Sequence, residues 1–201
     1  MAASSSSRVT LPATARGQRT RTRLLEAAEQ IFGEQGFERA SIVDITRAAR
    51  VAQGTFYVYF ESKRVIFTEL VETLGRTLRR RLAEAVEGIE GRVERDRAGF
   101  SAFLVYVAEH QHLYRIVRQA EFVDEALYRD YYRRLAEGYV RALQPDIEAG
   151  RVDDLDPEAI AYAMMGIFDF LGMRWALWEG RMPPEHVLDD VFRFLGKGLA
   201  R

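Results

Sequence analysis

From Leu24 onward, apolar residues return every three or four positions along almost the whole chain. Leu24, Leu25, Ala27, Ala28, Ile31 and Phe32 form a first stripe, closed by Gly33 and Gly36. Such spacing lines one face of a 3.6-residue helix, and glycine is its common stop. Ser41-Ile42-Val43-Asp44 is a capping-box start with Asp in place of the usual Glu, leading into Ile45, Ala48 and Ala49. Ser62 is placed to cap a long helix that carries Phe67, Leu70, Val71, Leu74, Leu78 and Leu82, until Gly88 and Gly91 interrupt it. Further stripes follow at Phe100–Val107, at Leu113–Val117 and over Tyr128–Ile147, the last stopping near Gly150. Pro157 opens a helix that runs to about Trp178, and Pro183-Pro184 precede a last one with Leu188, Val191, Phe192, Leu195 and Leu199. No segment alternates convincingly with period two, so the pattern predicts an all-α chain.

One stretch reads otherwise. Thr55-Phe-Tyr-Val-Tyr-Phe60 is β-branched and aromatic, and propensity alone makes it a strand. A lone strand would leave its backbone groups unpaired, so context favours a short helix.

Residues 20–64 thus run helix, Gly-containing loop, short helix, tight turn, aromatic-rich segment and the start of a long helix. This is the order a helix-turn-helix requires, the second short helix being held so that its side chains reach base edges in the major groove. The run Arg23–Phe32, then Gly36-Phe37, Ser41–Ile45, Ala48-Ala49 and Val51–Phe60 with Lys63, resembles the N-terminal domain of TetR-family transcriptional repressors. The resemblance covers about a quarter of the chain. It implies a three-helix helix-turn-helix DNA-binding domain followed by a larger helical domain for ligand binding and dimerisation. The boundaries expected are a disordered tail at 1–15, the DNA-binding domain at 16–64 and the effector and dimer domain at 65–201. The tail is Ser/Ala-rich, and no apolar run of the kind a signal peptide needs follows Arg8.

Carried over position by position, the resemblance implies that Ser41 caps the scaffold helix and offers its hydroxyl and amide to a phosphate. Gln53, Gly54, Thr55, Tyr57 and Tyr59 would form the reading surface, with Tyr59 and Lys63 on the phosphate backbone and Phe56 and Phe60 turned inward. Arg50 stands where the family commonly has glycine; a left-handed turn there costs Arg about 1 kcal/mol and adds a cation for a phosphate. Arg16, Arg19, Arg21 and Arg23, just upstream of the first stripe, are expected either as an arm for the adjacent minor groove or as a solvated basic tail.

Charge supports a divided chain. The 201 residues carry a formal net charge of −1, yet residues 8–64 hold 10 basic and 6 acidic side chains and the remainder is net acidic. A basic front on a mildly acidic body suggests that only the front meets a polyanion. The absence of cysteine excludes disulfides, thiolate metal sites and cysteine nucleophiles. His110 and His112 lack metal-site spacing, and Asp153-Asp154 and Asp189-Asp190 are explained by capping and solvation. No phosphate-binding loop or nucleophile elbow occurs, so neither an enzyme nor a cofactor or metal is expected.

Ala159–Trp178 has the length of a membrane span, about 20 residues, but Asp169 and Arg174 make insertion costly. A helix apolar nearly all round is better covered by a second copy, giving a homodimer through the two C-terminal helices and no membrane contact. As implied by the resemblance, the aromatic middle helices would hold a small apolar effector, with Phe103, Tyr106, Phe122, Tyr128 and Phe168 as candidate lining residues. Arg115 and Arg118 could pair an acyl or aryl acid or its CoA thioester, or lie at the surface as plain charges. The reading is a cytoplasmic, ligand-responsive repressor of a palindromic double-stranded DNA operator. The alternative is a helical carrier or enzyme that keeps the helix-turn-helix as architecture only.

Overall fold

The structure, a computed structural model, describes residues 14–151 and 155–199, and every regular element among them is helical. In chain order these are α1 (Ala15–Gln35), α2 (Ile42–Ala48), α3 (Gln53–Tyr59), α4 (Lys63–Val86), α5 (Arg92–Glu109), α6 (Leu113–Val123), α7 (Glu125–Glu148), α8 (Pro157–Gly172) and α9 (Glu185–Leu199). The expected disordered tail lies outside the described residues as far as residue 13, as do Asp153 and Asp154 and the side chain of Leu199. At its inner edge that expectation is corrected. Thr14 caps α1 by accepting the Gly17 N–H at 3.1 Å, and Ala15 is the first helical residue. The early turns of α1 are polar but made largely of good helix formers, which apolar periodicity cannot register.

The described chain forms two compact units. The first holds α1, α2, α3, the start of α4 to Leu74, and the segment His112–Tyr128 with α6. Leu24, Ala28, Phe32, Ile45, Phe56, Phe60, Ile66 and Phe67 are its fully buried centre. Phe67 meets Phe32 edge-on at 5.2 Å and Phe37 at 5.0 Å, fastening α4 to the end of α1. Here α6 belongs with the front helices. Its Ile116 and Ala120 are fully buried, Arg115 donates to the Gly33 carbonyl at 3.2 Å, and Gln119 donates to the Phe32 carbonyl and accepts from the Phe37 N–H. Gly33 is therefore no helix stop. It lies inside α1 with the His112 ring where a β-carbon would stand, and Gly36, at φ +83°, ends the helix.

In the second unit α5 packs against α8 and α9. Phe100, Leu104, Met164, Leu188, Phe192 and Leu195 form the core, and Phe168 stacks on Phe100 at 4.6 Å. Asp156 caps α8 through the Glu158 and Ala159 amides. The helix then continues as a π-helical stretch, Met173–Trp178. Asp189 and Asp190 pair with Arg97 and Arg193, matching the solvation reading of that carboxylate pair.

Candidate nucleic-acid interface

The segment with strand propensity is α3. What makes it helical is the placement of its aromatics: Phe56 and Phe60, four residues apart, are buried together with rings 5.6 Å apart. Burial on one helical face outweighs the β preference of single residues. The opposite face presents Gln53, Gly54, Tyr57 and Val58 to solvent, Tyr57 being 55% and Val58 65% exposed. Thr55 and Tyr59 are half-buried beside them. Val58 was no candidate in the sequence, and its signal was available, since a residue one turn from Gly54 and next to Tyr57 must share their face.

At Gly54 an added β-carbon would meet nothing within 4 Å. No packing inside this chain requires glycine there, although glycine weakens a helix by about 1 kcal/mol relative to alanine. What glycine leaves is room for something outside the chain to come close.

α2 is held at the fixed angle by three devices. At its start Ser41 and Asp44 form a reciprocal capping box: Ser41 Oγ accepts the Asp44 N–H at 3.1 Å, and the Ser41 N–H donates to Asp44 at 3.2 Å. Both Ser41 groups expected at a phosphate are thus engaged with Asp44. At its end Val51 N–H bonds the Thr46 carbonyl at 3.0 Å and Arg50 N–H the Arg47 carbonyl at 3.1 Å. That pairing is a Schellman stop, with Arg50 in the left-handed position at φ +53°. Across the loop before α2, Lys63 donates to the carbonyls of Phe37 (2.6 Å), Ala40 (2.9 Å) and Glu38 (3.2 Å), and its ammonium lies 4.5 Å from the centre of the Phe37 ring. An ammonium has three donors, and all three are used. Lys63 is accordingly a pin for the α1–α2 loop; the phosphate contact expected of it has no donor left.

The arginines expected as an arm are part of α1. Capping by Thr14 draws Arg16, Arg19, Arg21 and Arg23 into its first turns. Arg21 pairs with Glu69 of α4, and Arg23 donates to the carbonyls of Ala49 and Arg50, holding the turn from behind. Sequence reading missed the role of Arg23. Its spacing from Arg16, Arg19 and Thr20 was the signal, because positions i, i+3, i+4 and i+7 share one helical face.

The candidate effector residues are divided between the two units. Phe103 and Phe168 flank Phe100 in the second unit, at 6.3 and 4.6 Å from its ring, and Tyr106 is fully buried there, 4.4 Å from His110. Phe122 and Tyr128 belong to the first unit, and Phe122 is 88% exposed. Arg115 donates one bond to the end of α1. Among the described residues no cluster of His, Asp or Glu has the makings of a metal site.

The family model described as bacterial regulatory proteins of the TetR family matches residues 24–70, the segment containing the capping box, the Schellman turn and α3. The HTH-type transcriptional regulator TtgR of Pseudomonas putida is 29% identical over 197 residues, 90% of either chain. Among solved structures, the fatty acid degradation regulator FadR of Bacillus halodurans is similar with a TM-score of 0.78 at 19% identity, over 90% of this chain and 97% of that one. The transcriptional regulator FadR of Bacillus subtilis, in complex with stearoyl-CoA, gives 0.76 at 20% identity, over 89% and 98%. The head, residues 24–70, is thus matched by the TetR family of bacterial regulatory proteins, and beyond it the chain is similar along its length to TtgR in sequence and to the two FadR proteins in its all-helical fold.

Proposed function

We propose that the chain is a homodimeric, ligand-responsive repressor that binds a palindromic DNA operator and is released by a small apolar effector. The observation that carries this reading is the division of α3, with Phe56 and Phe60 sealed into the head and Gln53, Gly54, Tyr57 and Val58 turned outward. Residues 16–64 are the reading head and 65–201 the effector and dimer portion. Gln53 offers a bidentate amide to a base edge, and Thr55 a methyl or hydroxyl to a thymine or phosphate. Tyr57, Tyr59 and Arg50 face the backbone on either side. Ser41 and Lys63 keep α2 and its loop in place for that docking.

The two C-terminal helices are the dimer surface. In the single chain little of the apolar stretch Pro157–Trp178 is buried, and Phe170, Trp178 and Phe194 are each at least 65% exposed. Large apolar side chains left open in this way fit a second copy, packed as a four-helix interface. The effector class favoured is an acyl or aryl acid or its CoA thioester. The FadR relative that holds stearoyl-CoA supports it, as does the Phe100–Phe103–Phe168 cluster. Effector binding shifts the population toward conformers in which α4 carries the two heads out of the register of about 34–36 Å that successive major grooves demand. Such a regulator works in the cytoplasm, without cofactor or catalysis.

The test is to select bound fragments from genomic DNA, then measure affinity for Gln53→Ala and Tyr57→Ala with dimerisation checked by sedimentation. Loss of affinity in an intact dimer is expected; unchanged affinity in both variants would reject α3 as the reading helix.

A further inference from the structure

Beside α3, on the side of its N-terminus, lies a cavity of about 460 Å³ lined by Arg16, Arg19, Thr20 and Arg23 of α1, Arg50, Val51 and Ala52 of the turn, and Thr55 of α3. Four of these eight residues are guanidinium-bearing and none is acidic. Charges of one sign lining a cup sum to a positive potential that attracts an anion into it. Arg23 is partly neutralised by carbonyl oxygens, through its bonds to Ala49 and Arg50. No ion pair is found for Arg16, Arg19 or Arg50 among the described residues, whereas Arg21, on the same helix, is paired with Glu69.

Arg50 strengthens the case. It is the one non-glycine residue with positive φ among the described residues, at a Schellman position where glycine would sit without strain. Strain retained at a surface turn, in a residue whose charge completes a ring of three others, points to use of that charge. The cup also combines what a phosphodiester needs, namely planar guanidinium forks that grip two oxygens, with two threonines at the wall.

We infer that this cup seats one backbone phosphate of the operator strand next to the bases read by α3, so that α1, the turn and α3 clamp the same phosphodiester. The inference rests on the reading of α3 as the DNA-reading helix and adds its anchor. The arginines upstream of the matched segment act here as a preformed helical wall and not as a minor-groove arm. Each head gains a fixed point that sets the depth and register of α3 without reading sequence.

The experiment uses the full-length protein and a DNA fragment that it selects from a genomic library, with Arg50→Gly and the pair Arg16→Ala/Arg19→Ala. Arg50→Gly removes the cation while easing the backbone, so its melting temperature should equal or exceed that of the parent while DNA affinity falls about tenfold per head. In both variants the slope of log K against log salt concentration should flatten by about 1 for each phosphate no longer neutralised, hence by about 2 or more per dimer. Arg50→Lys, which keeps the charge and the strain, should recover part of the slope. Unchanged affinity and slope in the variants, with the parent still selecting its site, would overturn the cup and leave the functional reading standing. So would binding of inorganic phosphate by the free protein together with unchanged DNA affinity in Arg50→Gly, which assigns the cup to a free anion. A parent protein that selects no DNA overturns the functional reading, and the cup with it.

Discussion

The guanidinium of Arg21 in α1 lies against the carboxylate of Glu69 in α4 and 5.3 Å from the centre of the Phe60 ring, the residue that closes α3. The two side chains are only 14% and 11% exposed, so the pair is nearly dry. It is also one-sided, since Arg21 Nε and Glu69 Oε2 are buried without partners. Burial costs such a pair much of its Coulomb gain, but breaking it strands a charge. Glu69→Ala is therefore expected to destabilise the protein by about 3 kcal/mol, read from urea midpoints. The double variant Arg21→Met/Glu69→Leu should recover most of that loss. Equal losses in single and double variants would show that the contact matters as packing and not as a charge pair.

Lys63 offers a second separation of structure from binding. With its three donors on the loop carbonyls, Lys63→Met should cost about 2 kcal/mol of stability, the range of hydrogen bonds to a charged group. DNA affinity should weaken through displacement of α2, with the salt slope unchanged. A stable variant with a flatter salt slope would return Lys63 to the phosphate backbone.

Asp96 in α5 predicts a pH dependence. It accepts from Arg92 Nε at 2.7 Å and from the Tyr139 hydroxyl at 3.1 Å, and Arg92 in turn donates to Tyr139 at 2.6 Å. Burial pushes its carboxyl above the ordinary range, outweighing the pull of Arg92. Between the unfolded value, near about 3.9, and the raised folded value, the native state holds more proton than the unfolded chain. Stability contributed by this group is therefore fully present below the unfolded value, where the slope vanishes, and is lost as pH rises through the raised folded one. Asp96→Asn should remove this component of the slope. Parallel plots of stability against pH for the two proteins would show that Asp96 does not titrate in this way.

Much of this was legible because single residues announce local geometry. Ser41 and Asp44 at the right spacing specify a capping box, and the box forms. Arg50, read as strained if the turn is left-handed, is left-handed. The strand-like Thr55–Phe60 needed context, since the burial of Phe56 and Phe60 is a tertiary fact that propensity does not contain. The early start of α1 escaped because a helix held by a Thr14 cap and polar residues shows no apolar stripe. The carbonyl contacts of Lys63 escaped for a related reason. A lysine after the reading helix suits a phosphate in sequence, and only the fold reveals three carbonyls converging on it. The docking of α6 through His112, Arg115 and Gln119 has no local signature, because its partners lie some eighty residues away on α1.

Gly54 gives the sharpest opposition between folding and function. An added β-carbon meets only open space, so Gly54→Ala satisfies the helix and removes unfolded-state entropy without a clash. The variant should be more stable by about 0.5–1 kcal/mol, seen as a higher urea midpoint with an unchanged slope. A methyl group on the exposed face of α3 would meanwhile stand between the helix backbone and the groove wall. Affinity for the selected DNA should then fall by about tenfold or more, the scale on which a close approach to a base edge matters. The salt slope should change little, since no cation is removed. Tighter or equal binding by the stabilised variant would mean that DNA does not approach α3 at Gly54, and the reading surface would have to be moved toward Tyr57 and Val58.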